Sequence, residues 1–368
     1  MSGRGPVGVG IIGAGVISDT YIRNLTSFAD TRVLAVGDLR PEVARAKASE
    51  HGVAAAGDVD VVLGHSDVEI VVNLTIPAAH ADVAVSALAA GKHVWNEKPL
   101  ALDRAGGRAV LAAAAAAGLR VGCAPDTFLG VGLQAAGRLI EADAIGPPLT
   151  ALALLQSPGP DAWHPNPAFL FQAGGGPLFD LGPYYLTALV QTLGPVSSVA
   201  AVASTARERR TVGSGPNAGD TFEVTVPSHV GVLVRFAAGP SAQAIFSFDS
   251  ALQRTLLEVT GRDATMILPD PNGFDGDVLV RRPGSSTEET VARTHARSTR
   301  GIGVLDMARA IREDRPHRAD GALAYHVLDV MVAIGESAAA GEFVAVDSRV
   351  AVAEPLPDDW DPLASTVR

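Results

Sequence analysis

Val7-Gly8-Val9-Gly10-Ile11-Ile12 is a short apolar run that ends on Gly13-Ala14-Gly15-Val16-Ile17-Ser18 and passes into a helical segment reaching Leu25. A run without polar alternation is the pattern of a parallel strand covered on both faces. The glycines that follow constrain what the strand can do next. Gly13 permits a tight turn, and Gly15 lets the backbone approach a pyrophosphate lying over the N-terminus of the helix. Ser18 stands at the third position of this fingerprint, where glycine or alanine is usual. Gly13, Gly15, Val16 and Ile17 are therefore the expected cradle of a dinucleotide.

A second strand, Arg32 to Gly37, stops at Asp38, about 20 residues beyond the glycine loop, where a carboxylate accepts from the adenosine ribose. Arg40 leaves the cofactor open, because a guanidinium can stack on adenine or meet a 2′-phosphate. Asp38 repels such a phosphate, so NAD is favoured over NADP. Helix and strand signals continue to alternate. Pro41 to Glu50 and Val59 to Leu63 read as helices, Val68 to Asn73 as the fourth strand, Ala79 to Ala90 as a helix, and Leu119 to Cys123 as the sixth strand. Such alternation predicts a doubly wound parallel sheet over residues 1–123, with ligands at the carboxyl ends of its strands. Gly13, Asp38, Thr75 and Lys98 all fall at such ends.

Lys98 belongs to Gly91-Lys92-His93-Val94-Trp95-Asn96-Glu97-Lys98-Pro99-Leu100, read as the fifth strand. Proline cannot donate to a ladder, so the strand stops near Lys98. A Glu-Lys pair at a buried strand end is costly unless it meets a ligand or a partner charge. The chain has three lysines, Lys47, Lys92 and Lys98, whereas arginine supplies the other basic groups. Lysine, unlike arginine, shifts its pKa readily and serves in proton chemistry.

A net charge of −11 argues against nucleic acid as a partner. A lone cysteine, Cys123, excludes an internal disulfide and a cysteine-based zinc cluster; its apolar neighbours suggest a buried, inert thiol. No His, Asp or Glu grouping shows metal-ligand spacing, so no metal is expected. Met1 to Gly5 has no apolar leader, and the alanine-rich run Ala109 to Ala117 is too short to span a membrane. A soluble, cytoplasmic protein is the expectation.

These stretches resemble the Gfo/Idh/MocA family of NAD(P)-dependent oxidoreductases, which act mainly on sugars and cyclitols. The resemblance rests on Gly10 to Gly15, Thr75-Ile76-Pro77-Ala78-Ala79-His80, Ala90 to Pro99, Gly174 to Gly182, and the Arg315-Pro316-His317 region. It implies that Lys98 lies between nicotinamide and substrate, ahead of a cis Pro99. Thr75, Pro77, His80 and Glu97 would then join the cofactor site.

Residues 124–368 read as an α+β substrate-binding and oligomerisation domain. A helix over Gly130 to Glu141 and a strand over Leu149 to Gln156 precede Trp163-His164-Pro165-Asn166-Pro167, a structured wall before a triple glycine. Trp163 and His164 are candidate substrate contacts, although His164 can equally serve to orient its loop. Gly174-Gly175-Gly176-Pro177 opens a helix expected to run through Thr192, placing Asp180 and Tyr184 on one face. In the family this motif carries catalytic or substrate-binding Asp and His at the same spacing; here Tyr184 holds the histidine position. A phenol near pKa 10 needs a neighbouring cation to act as a base, and Lys98 could supply one. Tyr185 is expected to pack. Strand signals at Val199 to Ala203, Thr221 to Val226, Val230 to Phe236, Ala242 to Phe248 and Thr255 to Thr260 predict a mostly antiparallel sheet. An open apolar face of such a sheet often joins subunits in the family, so a homo-oligomer is expected. The interval Arg207 to Asp220 reads as a mobile loop, and His229 and His326 as structural.

The function expected is hydride transfer between nicotinamide and a ring hydroxyl or ketone of a sugar-like compound. Lys98, Tyr184 and Asp180 are the catalytic candidates, and Lys98, Trp163, His164, Asp180 and Tyr184 the substrate contacts. Two other classes fit the same fold: a redox-assisted glycosidase with retained NAD, and a cofactor-sensing regulator without turnover. Retention of Lys98, Asp180 and Tyr184 weighs against the regulator.

Overall fold

The computed structural model describes residues 5–291 and 298–366. Met1 to Arg4, most of the stretch read as lacking an apolar leader, lie outside them. The chain forms two compact units. The first comprises Met1–Gly130, His295–Tyr325 and Leu356–Arg368; the second comprises Val131–Thr294 and His326–Pro355. A contiguous division at residue 123 differs from this arrangement, because two later segments return to the first unit. Those returns depend on pairings that local pattern does not encode, such as the antiparallel bridge between Gly122 and Asp320.

The first unit is built on a six-stranded parallel sheet. Its strands are β1 Val7–Ile12, β2 Thr31–Gly37, β3 Ala55–Gly57, β4 Ile70–Asn73, β5 His93–Asn96 and β6 Val121–Cys123, in spatial order β3-β2-β1-β4-β5-β6. The order reverses between β1 and β4, which opens a crevice at their carboxyl ends. Every residue of β1 and β4 is buried, as expected of strands covered on both faces. Helices α1 Val16–Ser27, α2 Pro41–His51, α3 Val59–Leu63, α4 His80–Ala89 and α5 Arg104–Ala117 connect them. Asp103 caps α5 by accepting from the Gly106 N–H at 2.8 Å. Ile12, Val71, Leu88, Val94, Val110 and Val121 belong to one core cluster. Each such side chain contributes on the order of 1.5–3 kcal/mol by leaving water.

Trp95 is fully buried between two glycines. A Cβ at Gly122 would lie 2.6 Å from its ring, and one at Gly303, in the returning helix Ile302–Glu313, only 2.0 Å away. A second tether is ionic. Arg309 Nε donates to Asp30 Oδ2 at 2.7 Å with both groups buried, and its Nη2 donates to the Asp361 and Ala364 carbonyls of the C-terminal segment.

In the second unit, α6 Val131–Glu141 and β7 Pro148–Gln156 are followed by α7 Gly176–Asp180 and α8 Gly182–Leu193. Its later strands are β8 Val196–Ser204, β9 Arg209–Thr211, β10 Thr221–Glu223, β11 His229–Phe236, β12 Ser241–Ser247, β13 Arg254–Gly261, β14 Thr265–Leu268, β15 Val278–Arg281, β16 Glu289–Val291 and β17 Val344–Ala345. Nine of them form one sheet in the order β16-β15-β14-β13-β7-β12-β11-β8-β17. Only its β7–β12 pairing is parallel among the described residues. Burial alternates along β11, with Val230, Val232, Val234 and Phe236 inward. Tyr185 packs edge-on against Phe246, 5.8 Å between centroids, as its packing role required. His326 accepts the Val196 N–H at 3.0 Å and contacts the Ser348 hydroxyl at 2.8 Å.

Three details differ from the sequence reading. The helix expected from Gly176 to Thr192 breaks at Leu181, because Pro183 has no N–H to continue the ladder. Asp180 thus ends one helix and Tyr184 sits in the first turn of the next. The strand at Thr221 leaves the large sheet and pairs with β9 in a separate two-stranded ribbon. The interval Arg207 to Asp220 is anchored within this unit, because Arg210 is buried, donates to the Pro158 and Phe248 carbonyls, and pairs with Asp161 and Asp249. Helix Gly321–Ala340 is long and apolar enough to cross a membrane by composition, a feature the alanine-rich run did not reveal. Its Leu328, Val330, Ala333 and Ile334 are fully buried, which makes it a core helix.

Candidate active site

The glycine loop joins β1 to α1. Gly13 has φ +101°, which favours glycine, and a Cβ there would come within 2.7 Å of the Leu74 carbonyl. Gly15 is the N-cap of α1, and a Cβ on it would meet nothing within 4 Å. No side chain caps this helix end, so its first N–H groups are available to an anion. Ser18, the departure from the fingerprint, is satisfied locally: its hydroxyl donates to the Gly15 carbonyl at 2.6 Å.

Asp38 Oδ2 accepts the Ala14 N–H at 2.8 Å, and Oδ1 accepts the Arg40 N–H at 2.9 Å. These two bonds aim the carboxylate along the loop and leave a lone pair on each oxygen. Val16 and Leu39 are each 92% exposed and Ile76 is 67% exposed, so apolar surface borders the same strand ends. Leu39 and Ile76 carry no local sequence signal beyond their position. Ile17 and Pro77 are half-buried, and Arg40 is exposed. An open helix N-terminus, a glycine that leaves room, a tethered carboxylate and apolar flanks fit a dinucleotide.

Beneath the crevice lies a buried polar ladder. Asn73 Nδ2 donates to Asn96 Oδ1 at 2.9 Å and to the His80 carbonyl at 3.1 Å, while Asn73 Oδ1 accepts the Thr75 hydroxyl at 2.7 Å. His80 spans two turns, with Nδ1 2.7 Å from the Pro99 carbonyl and Nε2 3.0 Å from the Thr75 carbonyl. Burial outweighs these carbonyls and lowers its pKa. At neutral pH His80 is therefore a neutral imidazole, whose single N–H donates to one of these two carbonyls.

Lys98 is half-buried at the end of β5, and the Lys98–Pro99 peptide is cis. Glu97 of the Glu-Lys pair has several partners. Its Oε1 accepts the Tyr21 hydroxyl at 2.8 Å and lies 3.5 Å from Arg300 Nη1, and its Oε2 accepts the Lys98 N–H at 3.1 Å. Cys123 is buried, and burial raises its pKa well above the ordinary value, as an inert thiol requires.

In the second unit, Asp180 is half-buried and Tyr184 is buried. Trp163 is 67% exposed, and His164 stands edge-on to both Trp163 and Phe169 at 5.6 and 5.5 Å. His164 Nδ1 accepts the Asn166 N–H at 3.0 Å, a bond within its own loop. One grouping with metal-ligand proximity, Asp19, Glu50 and His51, occurs among the described residues; Lys47 bonds Asp19 at 2.5 Å and Glu50 at 3.4 Å, filling it with an ammonium.

The first unit is thus an NAD-binding domain of Rossmann type. Residues 7–124 match the NAD-binding Rossmann-fold model of an oxidoreductase family, Gfo/Idh/MocA, and residues 133–267 match that family's C-terminal domain. The chain belongs to the Gfo/Idh/MocA family. It is 34% identical over 147 residues to an inositol 2-dehydrogenase of Burkholderia cenocepacia, covering 38% of this chain and 43% of the relative. The chain therefore matches less than half the length of that relative. The fold is similar to an NAD binding oxidoreductase from Klebsiella pneumoniae (TM-score 0.81, 24% identity, 93% of this chain and 99% of that one). It is equally similar to levoglucosan dehydrogenase in complex with NADH and L-sorbose (TM-score 0.81, 23% identity, 93% and 99% coverage).

Proposed function

We propose that this chain is an NAD-dependent oxidoreductase that transfers a hydride between nicotinamide and a ring hydroxyl or ketone of a sugar, sugar derivative or cyclitol. The observation that carries the reading is Lys98, which follows the end of β5 by two residues, beside the dinucleotide-binding strand ends. The names of the relatives, an inositol dehydrogenase and a levoglucosan dehydrogenase, support the substrate class. Gly13, Gly15, Val16 and Ile17 hold the pyrophosphate, Asp38 accepts from the ribose, and Arg40 flanks adenine. Thr75, Pro77, His80 and Glu97 border the nicotinamide. When bound, nicotinamide supplies the hydride acceptor.

Lys98 hydrogen-bonds the reacting oxygen and favours the negative charge that develops as hydride leaves. Tyr184 carries the hydroxyl proton, and Asp180 accepts from a neighbouring hydroxyl of the ring. Trp163 offers an apolar face to the ring and His164 a polar edge. A carboxylate at Asp38, with its two backbone donors, supports NAD over NADP. The outward face of the nine-stranded sheet, where Val202 is 70% and Leu233 50% exposed, is the proposed surface for self-association. A panel of sugars and cyclitols with NAD or NADP, read at the nicotinamide absorbance, tests the reading. Saturable NADH formation with a polyol is expected. NAD binding without turnover of any polyol would favour the regulator, and glycoside cleavage without net NADH would favour the redox-assisted glycosidase.

A further inference from the structure

We infer that Tyr21 is a positioning residue, which acts through Glu97 to couple the helix after the glycine loop to the strand end carrying Lys98. The inference rests on the reading that Lys98 serves the reacting oxygen. Tyr21 lies on the buried stripe of α1 with Ser18, Ile22 and Leu25. A hydroxyl in such a stripe is costly unless it finds an acceptor, and here it donates to Glu97 Oε1 at 2.8 Å. Burial, reinforced by the Glu97 charge, raises this phenol well above its ordinary pKa, so it remains a donor.

The second oxygen of Glu97 accepts the Lys98 N–H at 3.1 Å, so one carboxylate holds both α1 and the main chain of Lys98. The far side of the junction is also fixed. Asn24 of α1 donates to the Arg300 carbonyl at 2.7 Å, while Arg300 faces Glu97 at 3.5 Å. Asp126 accepts the N–H groups of Gly301 and Gly303 at 2.8 and 3.1 Å. A buried hydrogen-bonded network of this kind sets geometry more than it adds stability. Loosening it at Tyr21 shifts Lys98 while leaving in place every residue assigned to the dinucleotide, and small misplacements of a reacting group are expensive in rate.

The test uses the full chain with Tyr21→Phe, Glu97→Gln and the double variant, alongside Lys98→Ala. Turnover with NAD and a polyol, NAD affinity, and the rate at which an amine reagent labels Lys98 are measured; Lys47 and Lys92 serve as internal references. Tyr21→Phe keeps the ring and should lower kcat about tenfold, with KM and NAD affinity within about threefold. Because Tyr21 acts through Glu97, the double variant should be no slower than Glu97→Gln. Lys98 should label severalfold faster in all three. Parental kcat and labelling in Tyr21→Phe, even with a lowered melting temperature, would overturn the coupling, as would a double variant showing the product of the single losses. If the parent turns over no polyol but labelling responds as described, the coupling stands and the role of Lys98 falls.

Discussion

Replacing Asp38 by alanine removes an acceptor whose surroundings allow the effect to be worked out. Each oxygen already takes one backbone N–H and keeps a lone pair for the ribose. Two charge-assisted bonds to ribose hydroxyls, discounted for exposure, are worth about 2 kcal/mol together. NAD should therefore bind roughly 30-fold more weakly. NADP responds in the opposite sense. A 2′-phosphate of about −2 charge near 4 Å from Asp38 is repelled by about 1 kcal/mol per charge in water-like surroundings. Relief of that repulsion, with the Ala14 and Arg40 N–H groups freed, should strengthen NADP by about 2 kcal/mol. The preference between cofactors should thus shift by about 10²–10³. Calorimetric titration of parent and variant with both dinucleotides at fixed ionic strength measures it, and Asp38→Asn, which removes charge but keeps an acceptor, separates the two contributions. Tighter binding of NADP by the parent, or an unchanged ratio in the variant, would refute the reasoning.

Arg309→Met removes the guanidinium that neutralises buried Asp30 and should cost about 3–5 kcal/mol, read from urea unfolding; an unchanged midpoint would contradict the tether. Burial holds His93 and His326 at about 4, below the ordinary 6.5, so the unfolded chain binds more protons between those values. Their contribution is present above about pH 6.5 and is lost as pH falls toward 4, at up to about 1.4 kcal/mol per pH unit for each. A flat dependence of unfolding free energy across that window would contradict it. Tyr184→Phe should lose about 10²–10⁴ in turnover with NAD affinity little changed; rates within a few-fold of the parent across the pH profile would pass the proton role to Lys98.

What could be read from the chain depended on whether the determining contacts were local. Strands β1 and β4 are buried throughout, and unbroken apolar runs announced them. The β2 end at Asp38 followed from its spacing to Gly15. Strand β3 was counted between β2 and β4 but had no bounds in the sequence, because Ala55-Ala56-Gly57 lacks branched or aromatic residues. The break at Leu181 was legible in Pro183, whose missing N–H interrupts the helical ladder. Arg210 sits in a segment whose glycines and serines resemble a loop, and its anchors, Asp161 and Asp249, lie far away in sequence. Tyr21 and Arg300 reach Glu97 from distant segments, and Asp126 holds the turn at Gly301 and Gly303, so no spacing rule could have joined them.

Lys98→Ala provides the most direct measurement. With a polyol carrying deuterium on the carbinol carbon, the parent should place that deuterium on the nicotinamide ring of NADH. The variant should do so at least about 10²-fold more slowly, with its NAD dissociation constant within a few-fold of the parent. Deuterium transfer by the variant at close to the parental rate would contradict a chemical role for Lys98 and return it to capping the end of β5.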